Sequence, residues 1–149
     1  MNLTDKIFAL EKFQPLWLGA THEWGTRDCA RMVAHLAETF TGHNPMKDWP
    51  AYSSEQQAFK AIRAMGFKSL QDAVSSYATK LEGSLWALNG DIVALQSDKE
   101  RMPALGICLG SDAVLCFWSD HDEKGQKIPN TSKARRLDMA YAVAAWRIV

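Results

Sequence analysis

A cysteine at the start of a helix is the residue in this sequence best suited to chemistry. Asp28 and Cys29 begin an amphipathic stretch whose apolar residues recur at helical spacing up to Phe40. The positive end of a helix dipole and the free N–H groups of the first turn favour a thiolate over a thiol, so we expect a lowered pKa for Cys29. Such a thiolate is a nucleophile, and its chemistry requires a base, usually a histidine from elsewhere in the fold.

Three apolar segments in the second half of the chain, residues 90–95, 104–110 and 113–118, have the composition of strands. The first opens with Gly-Asp and the second ends with Gly-Ile-Cys-Leu-Gly. A helix-initial Asp-Cys followed by these strands resembles the NlpC-type branch of the papain-like cysteine peptidases, which cut peptidoglycan peptides. The resemblance implies a catalytic histidine at the position of Ala104 and a polar third residue at the position of Cys116. This chain keeps the nucleophile but departs from the family at both of those positions.

A closer resemblance is to a short NlpC-like family encoded in the tail-gene clusters of bacteriophages. Its members combine a Trp-Gly upstream, as at Trp24, with a Thr-Gly-x-x-Pro after the helix and an Ala-Trp-Arg strand, as at residues 41–45 and 145–147. They also lack the strand histidine. The resemblance implies a tail or tail-tip assembly protein without peptidase activity, located in the host cytoplasm during assembly and then in the virion tail. Its partners would be tail-tip hub or tape-measure proteins, with peptidoglycan as a further partner.

Four histidines are available as a base for Cys29. His35 lies six residues after Cys29, which places it about 240° around the helix axis, so the two side chains diverge. His22 can fold back beside Cys29, and His43 follows the helix. His121 is the best substitute, because its loop leaves the strand that should carry the third catalytic residue. The candidate catalytic pair is therefore Cys29 and His121, although His22, His43 and His121 each have the sequence context of a solvated loop residue.

Each residue near the nucleophile also has a structural interpretation. Cys29 is equally explained as a small buried hydrophobe on a core helix. The Asp28 carboxylate stabilises a helix N-terminus by about 0.3 to 1 kcal/mol, and either Asp28 or Thr26 is the N-cap. Trp24 and Asp28 are candidates for the wall of a cleft around the thiol, and Trp24 is equally explained by packing at the edge of the core.

Cys108 and Cys116 lie on adjacent strands, and the loop between the strands decides whether they share a face. A two-residue turn at 111–112 puts them on opposite faces of the sheet, whereas a three-residue loop at 110–112 puts them on one face. The resemblance favours the longer loop. Three thiols without a fourth ligand make a weak metal site, so we expect core packing and no metal.

Composition argues against several classes of protein. The 149 residues contain 17 basic and 17 acidic side chains, and only Lys133, Arg135 and Arg136 form a basic cluster, so we expect no nucleic-acid binding. Three cysteines are an odd number, which argues against a disulfide framework. The N-terminus lacks a signal-peptide pattern and no apolar run approaches about 18 residues, so we expect no membrane insertion. The sequence suggests no cofactor.

The elements that must position Cys29 come in the order helices first, strands last. Residues 3–13 predict a short helix that Pro15 stops. The Cys29 helix ends at Gly42. We expect one α+β domain over residues 1–149, papain-like or NlpC-like, with N-terminal helices packed on a C-terminal antiparallel sheet. The other expected elements are a loop over residues 17–26, helices over 53–65 and 69–81, a surface loop over 119–133 and a last strand over 141–149.

Three classes of function agree with these residues. The first is the tail-assembly role; the alternative is a cysteine amidase or endopeptidase acting on peptidoglycan peptides, with Cys29 as nucleophile; the third is a module that binds a small molecule in a relic cleft. A base within reach of Cys29 discriminates between the first two, because a thiol without an acid to protonate the leaving amine cleaves amides poorly.

Tryptophan content bears on the assembly role. Six tryptophans in 149 residues exceed what one small core readily buries, and tryptophan is favoured as an interface anchor. Trp17 and Trp49, each close to a proline in an expected loop, are the residues we expect to be exposed and to bind a partner. The alternative is that all six lie in the core or at its edge.

Overall fold

A computed structural model describes residues 1–96 and 101–149, and within them four helices precede six strands. The helices are α1 (Leu3–Trp17), α2 (Cys29–Thr41), α3 (Glu55–Ala64) and α4 (Leu70–Ser75). The strands are β1 (Ala78–Lys80), β2 (Ile92–Leu95), β3 (Leu105–Gly110), β4 (Ala113–Trp118), β5 (Lys133–Asp138) and β6 (Ala142–Ile148). Two 3₁₀ turns lie at Ser84–Trp86 and Met139–Tyr141.

Every one of these helices begins at a polar side chain that accepts a hydrogen bond from a backbone N–H of the first turn. Such a cap satisfies a donor that has no partner within the helix. The predicted bounds of α2 are confirmed: it starts at Cys29 and ends before Gly42, which adopts the left-handed conformation with φ of 80°. The four caps are Asn2, Asp28, Ser54 and Ser69.

The predicted end of α1 is wrong. We expected Pro15 to stop the helix after Phe13, but α1 continues through Pro15 to Trp17. Proline removes its own N–H from the helix ladder and its ring crowds the carbonyl four residues earlier, yet the N–H of Leu18 still bonds to the carbonyl of Gln14 at 2.8 Å. Phe13 and Trp17 are both buried on the inner side of this helix, so packing outweighs the lost bond. No helix within the described residues is long and apolar enough to span a membrane.

Two strands were not predicted. We expected a helix over residues 69–81, but α4 ends at Ser75, and Ala78–Lys80 forms β1 against β6. The expected loop over 119–133 is followed by β5, which pairs with β4 along its full length. Both strands are at the edges of the sheet and are mostly polar, so neither carries the apolar alternation that identifies a strand in sequence.

The strands form one antiparallel sheet in the order β1-β6-β2-β3-β4-β5. The apolar faces of the four helices pack on one side of this sheet and form the main core with it. A second apolar cluster lies on the other side and includes Val93, Val114 and Ala145. The protein is therefore α+β, with N-terminal helices on a C-terminal antiparallel sheet, as expected. The last strand, expected over 141–149, is β6.

The β3–β4 hairpin shares one feature with each of the two loops that the sequence left open. Its turn is the short one, at Ser111 and Asp112, both with positive φ. A bulge between Cys108 and Gly110 then shifts the register, so that Cys108 pairs with Val114 rather than Leu115. Cys108 and Cys116 consequently share a face, and both are buried in the second cluster. Core packing, the expected role of these two cysteines, is confirmed.

Candidate functional site

A cavity of about 320 Å³ lies where the N-terminal end of α2 meets the beginning of β3. Cys29 and Ala104 both line it, so the two positions that the sequence singled out for nucleophile and base belong to one cavity. We call it the Cys29 cavity. Aromatic side chains form much of the remaining wall, and these are Trp24, Trp49, Tyr52 and Phe117.

Asp28 fixes the geometry at the start of α2. Its carboxylate is 1% exposed and accepts hydrogen bonds from the N–H groups of Arg31 and Gly25, both at 2.8 Å. The hydroxyl of Tyr52 donates to it at 2.7 Å. Asp28, and not Thr26, is thus the N-cap of α2, and it also ties the residue 52 segment to this helix.

Cys29 lies in the first turn of α2 and packs against the main core, close to the start of β3. It is partly exposed. The expected lowering of its pKa is wrong, because burial and, to a smaller extent, the adjacent negative charge of Asp28 together raise the pKa of the Cys29 thiol to about 12. The backbone hydrogen bonds at Leu105 and Ala30 act in the opposite direction and are outweighed.

His121, our candidate base, does not line the Cys29 cavity. It lies in the exposed β4–β5 loop, in a backbone bridge with Lys127, and its ring is 5.9 Å from the ring of Trp118. His43 is also exposed, as expected for a loop residue. His35 faces α1, with its ring 5.1 Å from that of Phe13, so it diverges from Cys29 as expected.

His22 is the histidine that shares the cavity with Cys29. The expectation that it is a solvated loop residue is wrong. Its ring is half-buried and makes edge contacts with Trp24 at 4.8 Å and Phe117 at 5.4 Å. Burial lowers the pKa of His22, and the negative charge of Asp28 partly offsets this effect.

A short strap along β5 places His22 in the cavity. The N–H of Gly19 bonds to the carbonyl of Ala134, the N–H of Ala134 to the carbonyl of Ala20, and the N–H of His22 to the carbonyl of Ser132, each at 2.9 Å. Residues 19–22 therefore extend the sheet beyond β5. This long-range pairing has no signal in the local sequence, which explains why the sequence around His22 predicted an ordinary loop residue.

Ala104 and Cys116 occupy different surroundings. Ala104 immediately precedes β3 and lines the cavity. Cys116 pairs with Gly106 in the sheet, is fully buried in the second cluster and does not line the cavity. Burial raises the pKa of Cys116 to about 12. The two family positions therefore supply neither an imidazole nor an ionised polar group beside Cys29.

The exposure of the tryptophan side chains differs from our expectation. Trp17 is only 5% exposed, because the longer α1 places it on the buried face, where its Nε1 donates to Nδ1 of His35 at 2.9 Å. Trp49 is half-buried, stacks on Phe67 and lines the cavity beside Trp24. Trp86, which the sequence did not single out, is 69% exposed. The alternative that all six tryptophans are core or core-edge residues is therefore wrong as well.

A buried ion pair joins two motifs that the sequence analysis noted separately. Asp91, the aspartate of Gly-Asp, is 1% exposed and accepts hydrogen bonds from the guanidinium of Arg147, at 3.1 Å from Nε and 2.8 Å from Nη2. The N–H of Leu88 is a third donor, at 2.8 Å. The pair links the beginning of β2 to β6, which are neighbours in the sheet.

Among the described residues, no group of three or more His, Cys, Asp or Glu side chains is placed to hold a metal ion. A comparison with curated proteins finds none that matches the chain. The model of one family, described as a domain of unknown function (DUF6950), matches residues 9–148. That match includes every residue that lines the Cys29 cavity. The chain belongs to the DUF6950 family.

Proposed function

We propose that the chain is a papain-like, NlpC-like domain that acts as a structural or assembly protein of a bacteriophage tail or tail tip and has no peptidase activity. The arrangement of elements supports the fold assignment: α2, which begins at Cys29, packs on β3, and Ala104, the position at which the resemblance implies a histidine base, lines the same cavity as Cys29. In this proposal the protein assembles with tail-tip hub or tape-measure proteins in the host cytoplasm and then remains in the virion tail.

The state of Cys29 carries the proposal that the domain is catalytically silent. With a thiol pKa of about 12, Cys29 is protonated at neutral pH, and the thiolate is the nucleophile. Amide cleavage also needs an acid that protonates the leaving amine. Ala104 cannot provide it.

Incubation with peptidoglycan peptides tests this part of the proposal. We expect purified protein and its Cys29→Ala variant to release no product, as measured by mass spectrometry against an active NlpC-type peptidase. Release by the wild-type chain that the Cys29→Ala substitution abolishes would contradict the proposal.

A cysteine amidase acting on peptidoglycan peptides is the second candidate, and the position of His22 favours it. Since burial lowers the pKa of His22, its imidazole is neutral at neutral pH, the form that accepts a proton. In this candidate His22 takes the proton of the Cys29 thiol as sulfur attacks the amide carbon. The imidazolium then returns that proton to the leaving amine.

A pair of histidine variants separates the two candidates. For an amidase, His22→Asn abolishes peptide release, as Cys29→Ala does, whereas His121→Asn leaves it unchanged because His121 lies outside the cavity. For a silent domain there is no release to lose in any variant.

Two of the most exposed large apolar side chains lie next to each other at the first 3₁₀ turn. Leu85 is 99% exposed and Trp86 is 69% exposed. The carbonyl of Trp86 accepts a hydrogen bond from Nη2 of Arg147 at 3.2 Å, which holds the backbone of the turn on β6. A rigid turn that presents a tryptophan and a leucine fits the interface role that we first expected of Trp17 and Trp49.

A further inference from the structure

The Cys29 cavity has an apolar interior and a polar rim. Its only carboxylate among the described residues, that of Asp28, already accepts three hydrogen bonds, from Gly25, Arg31 and Tyr52. Around it the interior is formed by aromatic and aliphatic side chains. They include Trp24, Trp49, Met102 and Phe117.

Three polar side chains besides those of Asp28 and Tyr52 line the cavity, and we call these three its rim. The N–H of His22 bonds to the carbonyl of Ser132, so these two residues are adjacent, and Lys127 comes from the same β4–β5 loop. Lys127 is exposed, whereas His22 and Ser132 are half-buried. In the part of the chain that the structure describes, the side chains of His22, Lys127 and Ser132 make no hydrogen bond or ion pair.

The size of the cavity limits its occupant to a small molecule. Ligand sites typically measure about 300 to 1,000 Å³ and combine apolar walls with a few polar groups that orient the ligand. At about 320 Å³ the Cys29 cavity is at the lower end of this range. The buried negative charge of Asp28 disfavours a second anion in the interior, so a charged head group belongs at the rim, beside Lys127.

We propose that the Cys29 cavity binds a small aromatic anion, with its ring among Trp24, Trp49 and Phe117 and its negative group beside Lys127, Ser132 and His22. The proposal depends neither on the tail role nor on peptidase activity. It assigns a ligand class to the cavity that Cys29 and Ala104 line.

Two fluorescent probes with the same ring system test the proposal. Anilinonaphthalene sulfonate carries a negative charge, and N-phenylnaphthylamine does not. We expect both to bind with one-to-one stoichiometry. Lys127→Gln should weaken binding of the anionic probe about three- to fivefold, which is the scale of an exposed charge pair. It should leave the affinity for the neutral probe unchanged. Lys124→Gln is the matched control, because Lys124 lies in the same exposed loop but does not line the cavity.

A variant that fills the cavity establishes where the probes bind. Ala104→Leu should lower the affinity for both probes at least fivefold. Far-UV circular dichroism checks that the variant keeps its secondary structure. Lys127 is exposed, so Lys127→Gln tests the anion site even if Ala104→Leu fails to fold. Absence of one-to-one binding, equal affinity of the anionic probe for the wild-type and Lys127→Gln proteins, or undiminished binding to folded Ala104→Leu would each overturn the proposal.

Discussion

Cys29 experiences two opposing electrostatic effects. A helix N-terminus stabilises a negative charge by about 0.3 to 1 kcal/mol, which is less than the roughly 1.4 kcal/mol that one pKa unit represents. Burial and the neighbouring Asp28 charge act the other way and raise the pKa from 9.0 to about 12. The same carboxylate that caps the helix therefore works against ionisation of the thiol beside it.

Alkylation of Cys29 should follow this raised pKa. We expect slow reaction with iodoacetamide near pH 7 and a rate that increases about tenfold per pH unit through pH 10, because only the thiolate reacts. Mass spectrometry of the Cys29 peptide measures the rate separately from Cys108 and Cys116. A plateau below about pH 8 would show instead that a cation stabilises the thiolate, and His22, which lines the same cavity, is a candidate for it.

His22 should make the protein less stable in mild acid. Its pKa is lowered from 6.5 in the folded state. As pH falls through 6.5, the unfolded chain therefore binds a proton that the folded chain does not, and stability decreases until pH reaches the folded pKa. One proton contributes at most about 1.4 kcal/mol per pH unit. His22→Gln should reduce the loss of stability between about pH 7 and pH 5, measured by urea unfolding.

A second histidine provides the control for that measurement. His43 is exposed and outside the cavity, so His43→Gln should leave the pH dependence as in the wild type. If the free energy of unfolding changes with pH equally in the wild-type and His22→Gln proteins, the half-buried ring of His22 binds its proton as readily in the folded chain as in the unfolded one.

Local signals in the sequence predicted the cap and the position of Cys29 at the start of α2, but not the histidine that shares its cavity. Asp28 and Cys29 are adjacent, and capping depends on only the next three residues, so both positions were predictable. His22 reaches the cavity through hydrogen bonds to residues 132–134, more than a hundred positions away. The direction of the Cys29 pKa shift depends on tertiary burial, which is why the dipole argument alone gave the wrong sign.

The ion pair between Asp91 and Arg147 stabilises the pairing of β2 with β6. Removing one partner of a buried pair costs up to about 3 to 5 kcal/mol, and because the Arg147 side chain is 35% exposed we expect a smaller loss. Arg147→Gln should destabilise the protein by about 2 kcal/mol, since Asp91 keeps only the N–H of Leu88 as a donor. Urea unfolding measures the difference.

Arg135 offers a matched control in a more exposed pair. It contacts Asp120 at 2.6 Å, with 26% and 48% of the two side chains exposed. Asp120→Asn removes the charge of this pair but keeps the hydrogen bonds that Arg135 donates to the carbonyls of Trp118 and Thr131, so it should cost about 1 kcal/mol or less. A loss for Arg147→Gln no larger than for Asp120→Asn would indicate that burial of Asp91 adds nothing to the strength of its pair.

Helices and strands differed in how far their sequences predicted them. α2 carries both a cap and a regular apolar face, and its bounds were predicted correctly. β1 and β5 have few apolar residues and are held by backbone pairing with β6 and β4, so no periodic signal revealed them. The end of α1 depended on the packing of Trp17, which opposes the local effect of Pro15.

At the scale of the whole molecule, the tail-assembly proposal predicts that Leu85 is needed for association. Leu85→Asp should abolish binding to co-expressed tail-tip hub or tape-measure proteins, because it places a charge in an apolar contact. Stability should change by less than about 0.5 kcal/mol, since the side chain is 99% exposed. Co-purification measures association, and thermal unfolding measures stability.

Phe8→Asp is the control for a general loss of surface hydrophobicity. Phe8 is 61% exposed on α1, and its substitution should leave association intact. Association that survives Leu85→Asp would exclude the 3₁₀ turn as the interface. A wild-type chain that is monomeric and binds no tail protein would overturn the assembly role itself.

The position of β6 also governs when the chain can fold during synthesis. β6 inserts between β1 and β2, and the ammonium of Lys6 bonds to the carbonyl of Ile148 at 3.2 Å. Until residues 142–148 leave the ribosome, β1 has no strand to pair with, and the helices lack part of the apolar surface that covers them. The nascent chain therefore keeps its apolar helix faces partly uncovered from the synthesis of α1 until that of β6, an interval in which we expect it to be prone to aggregation.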